Sequence, residues 1–480
     1  MKPAVRILTL FLALILCVPA FVSCADQTNG GPEESETEET EQVYREESGY
    51  ELPVNDYDGA TCNICLATAS LMTASEETGD NLNDAIYHRN MKVEDLYNVT
   101  ISFPDLAVGM GYYDWVDFLT KTMMSGDDAY QIIGAFSHWM AADTLKKAFY
   151  QNLLELPYLD LTQPWWTGEF MEKANLGGAL YVTVGSPDTT YYEHTFAMLF
   201  NKALAEDLQL GNLYELVGEG KWTFDKLKTY TAMGALDVDG NGEMDPAVDR
   251  FGLVCQRNSP LDAFVFAFNV ELTGYDADGL PYLYDLTDHY VEVQETLNEF
   301  IVKDKNTYYV YDEGTPEFLE GRSLFEGANL KRAVEYRAME NDFGILPYPM
   351  WNEEQGRYYT YSDIGNMISF SIPITTKGDM PANILEALAY FGYKNVMPVY
   401  YDKTLKGRTV RDEESQAMLD LMFANITYDF SQIYGHYFDT ADPSLLLRTT
   451  LLDGKSLVTE WAKKKRIFTK KMEEMREKLS

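Results

Sequence analysis

Basic residues are scarce. The 480 residues include 38 lysines and arginines against 76 aspartates and glutamates, a formal charge of −38. So acidic a surface repels phosphate backbones, which excludes nucleic acid as a partner and suits neutral, hydroxyl-rich or cationic ligands. Histidine is scarce too: five are scattered, none in an H-E-x-x-H spacing. There is no G-x-S-x-G elbow and no phosphate-binding glycine loop. A glycoside hydrolase needs two placed carboxylates, and among 76 acidic residues no pair stands out. Cysteine is equally rare. Cys62 and Cys65 look like a redox or zinc half-site, but ATCNICLATAS reads as a buried strand. Residues three apart on a strand point to opposite faces roughly 10 Å apart, beyond disulfide reach. No second pair completes a zinc site, so both are expected as small core residues, with Cys255 as the third cysteine after Cys24.

Aromatic and apolar residues are abundant. At 46% apolar the chain can bury a substantial core, and its length fits one large or two or three ordinary domains. Tyrosine (34) outnumbers phenylalanine (24), with seven tryptophans. Tyrosine and tryptophan join a flat apolar face to a polar edge, useful around sugars and equally at home in cores.

Residues 1–23 read as an export signal. Lys2 and Arg6 precede the ten-residue run ILTLFLALIL, too short for a stable membrane span. Small residues then lead to Cys24, the expected acylated N-terminus of a bacterial lipoprotein on the outer face of the cytoplasmic membrane. Residues 24–56 are acidic and nearly free of apolar side chains, an extended spacer between membrane and fold.

From Tyr57 the pattern alternates. A strand over Thr61–Thr68 precedes a helix whose Leu82, Ile86, Val93 and Tyr97 share one face. VTISFPD, a helix over Tyr113–Met124 and DDAYQIIGAFS complete a βαβαβ order, which predicts a mostly parallel sheet covered by helices. Ligands of such sheets sit beyond the carboxyl ends of the strands. Then come the apolar run Ala179–Gly185, a helix around Phe196–Leu208, and a helix opened by GKWTFDKL with Thr223 as N-cap and Asp225 in the first turn. The strand RFGLV, a strand–turn–helix–strand series through NDFGILPYP, a strand over Met367–Gly378 and the helix NILEALAYFGYKN follow. The terminal helix carries an apolar stripe of Trp461, Phe468, Met472, Met475 and Leu479, and is expected to dock.

DVDGNGEMD matches a calcium loop. Counting from Asp237, Asp239 stands at position 3, Asn241 at 5, Gly242 at 6, the Glu243 backbone at 7 and Asp245 at 9. Position 12 is Val248, and Asp249 comes one residue late. Either the loop holds a structural calcium ion or it is an acidic turn without one. No organic cofactor is implied.

Several segments resemble bacterial extracellular solute-binding proteins of ABC importers, the class that includes maltose-binding protein. They are LNDAIYHRNMKVEDLYNV, LTQPWW, GGALYVTVGSPD with MLFNKALAEDL, GKWTFDKL, FLEGRSLF and DFGILPYPMWNEEQGRYYT, spread from about residue 57 to 480. The resemblance implies an α/β fold of the periplasmic-binding-protein-like type II: two α/β lobes, a ligand cleft and hinge crossovers near ALYVTVGSPD and GNMISFSIPIT. Lobe one takes 57–183 and 361–430, lobe two 184–360 and 431–480. It implies a monomer without enzymatic activity that binds a carbohydrate, an oligosaccharide by preference, for ABC permease subunits, and touches the membrane only through its lipid anchor. A surface glycan adhesin and a glycoside hydrolase are the alternatives, and relatives of this broad fold bind peptides, polyamines or metals. By family geometry the cleft candidates are Ser70, His138, Trp139, Asp188, Asn258, Asn329, Trp351 and Asp363, with Trp139 and Trp351 stacking on sugar or packing in the core. One of Trp165 and Trp166 is expected at the cleft and the other in the core, and Trp222 is read as core.

Overall fold

The computed structural model describes residues 50–68, 70–104, 109–310, 315–336, 339, 341–401 and 413–479. The leader, Cys24 and nearly all of the acidic spacer lie outside them. Among the described residues no helix is long and apolar enough to cross a membrane.

Thirteen short strands are described: β1 (Ala60–Leu66), β2 (Val99–Ser102), β3 (Ile132–Phe136), β4 (Phe196–Asn201), β5 (Phe251–Gln256), β6 (Thr273–Tyr275), β7 (Pro281–Leu283), β8 (Thr307–Val310), β9 (Ser323–Asn329), β10 (Phe343–Leu346), β11 (Thr360–Tyr361), β12 (Ile368–Ser371) and β13 (Ile426–Thr427). The first sheet has the order β12-β3-β1-β2, with β1 parallel to both β2 and β3 and β12 antiparallel to β3. This is the parallel core that the βαβαβ pattern predicts. Cys62 and Cys65 are free and fully buried in β1. The helix Asn81–Tyr97 starts at Asp80, whose side chain accepts from the Leu82 and Asn83 N–H groups, and stops at left-handed Asn98. It buries Ile86, Val93 and Tyr97.

The second sheet has the order β10-β4-β9-β5-β8, with β5 parallel to β8 and β9, and β4 antiparallel to β9 and β10. Here the helix expected over Phe196–Leu208 is corrected. Its first half is β4, buried at all six positions between two strands, and only Lys202–Asp207 is helical. FAMLF has no polar position to mark a period, so a buried strand and a buried helix look alike in sequence. Asn201 ends the strand and caps the helix by accepting from Leu204 N–H at 3.1 Å.

Two further expectations change in detail. Thr223 stands at the N-cap of Phe224–Gly234 without a side-chain bond. The Phe224 N–H is met instead by the Met350 carbonyl at 2.7 Å. The strand over Met367–Gly378 shrinks to β12, because Pro373 brings no N–H to a ladder.

Residues 179–185 run extended beside β12: Thr183 N–H donates to Phe370 O at 3.0 Å, and Phe370 N–H to Thr183 O at 2.8 Å. The first passage between the sheets is thus tied to β12, and farther along Asp363 N–H of the second passage donates to His194 O at 3.0 Å. Gly392 packs on the first of them so closely that a Cβ would fall 1.9 Å from Ser186 O. Trp165 and Trp166 are both buried, and their indole N–H groups donate to the two oxygens of buried Glu386 at 2.9 and 3.0 Å. Trp222 is fully buried. The terminal helix Leu457–Leu479 docks through buried Trp461, Phe468, Met472 and Met475, with Phe468 stacked 4.0 Å from Phe438.

Candidate functional site

A cavity of about 570 Å³ opens where the carboxyl ends of β3 and β5 face each other. His138 enters it just after β3, and Asn258, Ser259 and Asp262 enter it just after β5. The passage leading into β12 supplies Asp363, Gly365 and Asn366. The C-terminal segment closes it with Gln432, His436, Asp439, Asp442, Ser444 and Arg448. A second depression, about 680 Å³, lies against exposed charged side chains such as Glu299 and Lys303 and takes in no strand end. The cavity between the sheets therefore carries the argument.

Asp363 is nearly buried and fully engaged. It accepts from Ser259 Oγ, Asn366 Nδ2 and Gly365 N–H, each at 2.8 Å. The Ser259 bond joins the passage before β12 to the helix after β5, and the other two fold the passage on itself. Asp262 lies in the first turn of that helix, Ser259–Ala267, whose neighbours are almost all apolar. It is 4% exposed, and burial pushes its carboxyl up to about 7. Arg448 opposes that shift from 3.4 Å, while Asp363 and Asp442 add to it. Asp442 accepts from Ser444 N–H at 2.8 Å and Ser444 Oγ at 2.7 Å, yet burial still raises it to about 6.

His138 and His436 lie 4.2 Å apart, ring to ring. Burial, reinforced by His436, lowers His138 to about 3, and burial lowers His436 as well. Both rings are neutral near pH 7 and serve as hydrogen-bonding groups. His138 Nδ1 faces the Ile364 carbonyl at 3.2 Å, which puts its proton there and leaves Nε2 as an acceptor. Asp439 is countered by Lys146 at 3.4 Å and Lys471 at 2.9 Å. The apolar wall is Phe266 and Tyr361, stacked on each other 5.0 Å apart. Tyr113 stands at the rim, 80% exposed.

Three of the eight cleft candidates, His138, Asn258 and Asp363, thus line one cavity. The structure places the other five elsewhere. Trp139 is 9% exposed and packs edge-on to Phe136 at 4.9 Å. One helical step turns it about 100° from His138, toward the sheet. Trp351 has its face covered by Phe224, 5.8 Å away and nearly parallel, with Phe268 and His289 at its edges. Trp139 belongs to the core, and the partly buried Trp351 packs against it. Ser70 donates to Asp188, which also accepts from Thr190 N–H at 2.7 Å. Those two close a buried polar knot beside Arg89, which donates to the Pro187 carbonyl at 2.8 Å. Asn329 caps the helix Leu330–Glu335. The reading from sequence missed Asp262, Asp442, His436 and Arg448.

At the amino end of β5 sits the acidic loop. The carboxylates of Asp237, Asp239 and Asp249 come within 4.8 Å of one another. Asp249, one residue late by the motif, is the fully buried member and accepts from Val238 N–H at 2.8 Å and Asp245 N–H at 2.7 Å. Asn241 Nδ2 donates to Asp239 at 2.9 Å, and the remaining acids find other partners. Glu243 pairs with Lys305 at 3.3 Å, Asp245 accepts from Ala247 N–H at 2.9 Å, and Asn241 accepts from Glu243 N–H at 2.7 Å.

No protein-family model matches the chain, and no curated protein matches it by sequence. Solved structures do match. The maltose/maltodextrin-binding domain MalE from Bdellovibrio bacteriovorus, bound to maltotriose, aligns over 86% of this chain and 100% of its own at 13% identity and a TM-score of 0.54. The GacH receptor of Streptomyces glaucescens, solved unliganded and with acarbose, aligns over 86% and 99% at 12% identity and a TM-score of 0.56. UgpB from Mycobacterium tuberculosis, in complex with glycerophosphocholine, aligns over 86% and 99% at 14% identity and a TM-score of 0.56. The α/β fold expected from the sequence is the fold these binding proteins share.

Proposed function

We propose that the chain is an extracellular solute-binding protein that captures an oligosaccharide between its two sheets and hands it to an ABC permease. One observation carries this reading: the cavity lies beyond the carboxyl ends of β3 and β5 and is floored by the polar passage Asp363–Asn366. That is where a two-sheet α/β protein receives ligand. Of the structural neighbours, MalE is bound to maltotriose and GacH to acarbose, which favours a sugar. The hydroxyl-binding groups are Asn258, Asn366, Gln432 and the neutral histidines, with Tyr113 at the rim as a stacking surface. The reading is binding without chemistry; the ATPase of the permease drives import.

The lobes are built on the two sheets, with Met397, Leu419 and Met422 packing in one core with Leu199, Phe251 and Ile345 of the second, and they rotate about the passage at Thr183 and its partner Phe370. Cys24 carries the lipid that holds a monomer at the outer face of the bacterial cytoplasmic membrane. Asp237, Asp239 and Asp249 hold a structural calcium ion, with Asn241, Glu243 and Asp245 completing its shell through backbone or water.

Thermal unfolding against a glycan panel tests the main reading. A bound glycan raises the midpoint, by about 2.7 kcal/mol of stability at a hundredfold excess over its Kd. No shift across maltose-, cellulose- and chitin-type oligomers overturns it, and release of reducing sugar from any of them replaces it with a hydrolase.

A further inference from the structure

The loop at the amino end of β5 carries an amide open to attack. The chain has two Asn-Gly pairs: Asn29–Gly30, outside the described residues, and Asn241–Gly242. The backbone nitrogen that follows an asparagine can add to its side-chain carbon, which makes asparagine thermolabile. Glycine hinders that approach least because it has no Cβ. Asn241 and Gly242 are both exposed, and apart from its chain neighbours no atom lies within 4 Å of the place a Gly242 Cβ would take. Gly242 stands at φ +85°, which a side chain would strain. The turn therefore keeps the least protective neighbour beside Asn241.

The hydrogen bonds of the loop suit the same reaction. The attacking atom is Gly242 N, whose hydrogen points at Asp237 Oδ2, 2.7 Å away. A carboxylate there draws on the N–H bond and puts electron density on the nitrogen. The carbonyl under attack is that of the Asn241 side chain, and its Oδ1 accepts from Glu243 N–H at 2.7 Å. That donor sits where negative charge develops as the nitrogen adds. The departing group is Asn241 Nδ2, which donates to Asp239 Oδ2 at 2.9 Å. Nucleophile, carbonyl oxygen and leaving group are thus each held by a partner within one turn.

We propose that Asn241 is a site of spontaneous deamidation. Gly242 N adds to Asn241 Cγ, and the Cγ–Nδ2 bond breaks. The proton lost from Gly242 N passes by way of Asp237 and solvent to Nδ2, which leaves as ammonia. Water then opens the five-membered succinimide. Opening at Cγ gives aspartate at 241, and opening at the main-chain carbonyl gives isoaspartate. Either product places a carboxylate where an amide donated to Asp239, beside three carboxylates already within 4.8 Å of one another. Attraction turns to repulsion, and the loop of an ageing molecule loses stability. A calcium ion engages the oxygens of Asp237 and Asn241 and so slows the reaction; this clause alone rests on the calcium reading above.

Peptide mass spectrometry on the purified full chain tests the proposal, with samples aged at neutral pH in chelator, in calcium and in urea. The amide-to-acid mass change at Asn241 is the readout, since isomerisation at Asp239–Gly240 does not produce it. The expected rate in the native chain in chelator is at least threefold that in urea, where the placed partners are lost. A native rate at or below the urea rate overturns the proposal. Asp237→Asn should bring the native rate down toward the urea rate, whether it leaves the loop closed or opens it; an unchanged rate overturns the part given to Asp237. Asn241→Asp, the product made directly, should lower the unfolding midpoint in chelator, and an unchanged midpoint overturns the stated consequence. Calcium should slow the native reaction at least threefold. No slowing overturns the protective clause with the calcium reading beneath it, and leaves deamidation standing.

Discussion

The two ends of β5 carry aspartates in opposite circumstances. At its amino end Asp237 accepts backbone N–H groups from Gly240 and Gly242 at 2.7 Å and from Asn241 at 3.2 Å. Those bonds, the Gly242 one first, hold its carboxyl below the usual range. At the carboxyl end Asp442 has two donors against those three, both from Ser444, yet its carboxyl rises. The difference is water. The loop keeps its shell, whereas the cavity loses it, and desolvation outweighs two neutral donors. Donor count alone therefore does not say whether an aspartate is charged. An acidic surface costs this fold little, while an acidic interior costs stability that a bound cation can recover.

The contrast predicts a pH profile. Glu326, in the middle of β9, is the extreme interior case. It accepts from Thr315 Oγ1 and from Tyr336 OH at 2.9 Å, its Oε2 is buried without a partner among the described residues, and burial pushes it up to about 8. Its folded value lies above its unfolded one, so the native state binds the extra proton. Stability then falls as pH rises from about 4 through 8, the reverse of a salt-bridged carboxylate. The penalty is at most on the order of 5 kcal/mol above pH 8. Asp262 and Asp442 add in the same direction at about 7 and 6. Urea unfolding at pH 5 and pH 8.5 should show a large loss that Glu326→Gln removes in good part. A chain as stable at pH 8.5 as at pH 5 would break the comparison.

Glu386 is the interior carboxylate that donors do satisfy. Two indoles and the Asp160 N–H point at it. Glu386→Gln turns one acceptor into a donor and strands a buried N–H. The expected cost is about 1–3 kcal/mol, with an altered tryptophan emission spectrum. A neutral outcome would show that the two indoles do not depend on the charge.

The sequence made the sheets legible where polar residues punctuate them. Asp80 and Asn98 frame the first long helix, and the βαβαβ alternation yields the parallel strands. It hid β4, whose six positions are all buried and so show no period. The candidate site was half legible. His138, Asn258 and Asp363 follow from the rule that ligands sit at carboxyl strand ends. Trp139 misled because adjacent helical residues face different ways, and Trp351 because a large flat ring serves a core as well as a sugar. Asp262 and Arg448 did leave a signal. Each is a lone charge in an apolar run, LDAFVFAF and SLLLRTTLL, and a lone buried charge needs an opposite partner. The sequence cannot show that the two runs meet.

If the loop at the amino end of β5 holds calcium, the same three carboxylates that repel one another become ligands. Calcium should raise the unfolding midpoint, chelator should lower it, and Asp237→Ala should weaken the ion at least tenfold in a direct titration. Both Asp237 and Asp249 also hold the loop through backbone bonds, but Asp249 is the fully buried one. Asp249→Ala should therefore lower the midpoint even in chelator, while Asp237→Ala in chelator should cost less. An unchanged midpoint with and without calcium would mark the loop as a turn held by its own backbone bonds.

The smallest expected effect lies just outside that loop. Lys305 reaches Glu243 at 3.3 Å, but their side chains are 65% and 82% exposed. Water screens such a pair, and ordering two long side chains offsets most of the attraction. Lys305→Ala should change stability by less than about 1 kcal/mol, and the little it does change should vanish in high salt. A larger loss would mean that the exposed acids of this loop are coupled to the fold through their charge, as the buried ones are. The boundary between the two ends of β5 would then be set by the density of carboxylates instead of by water.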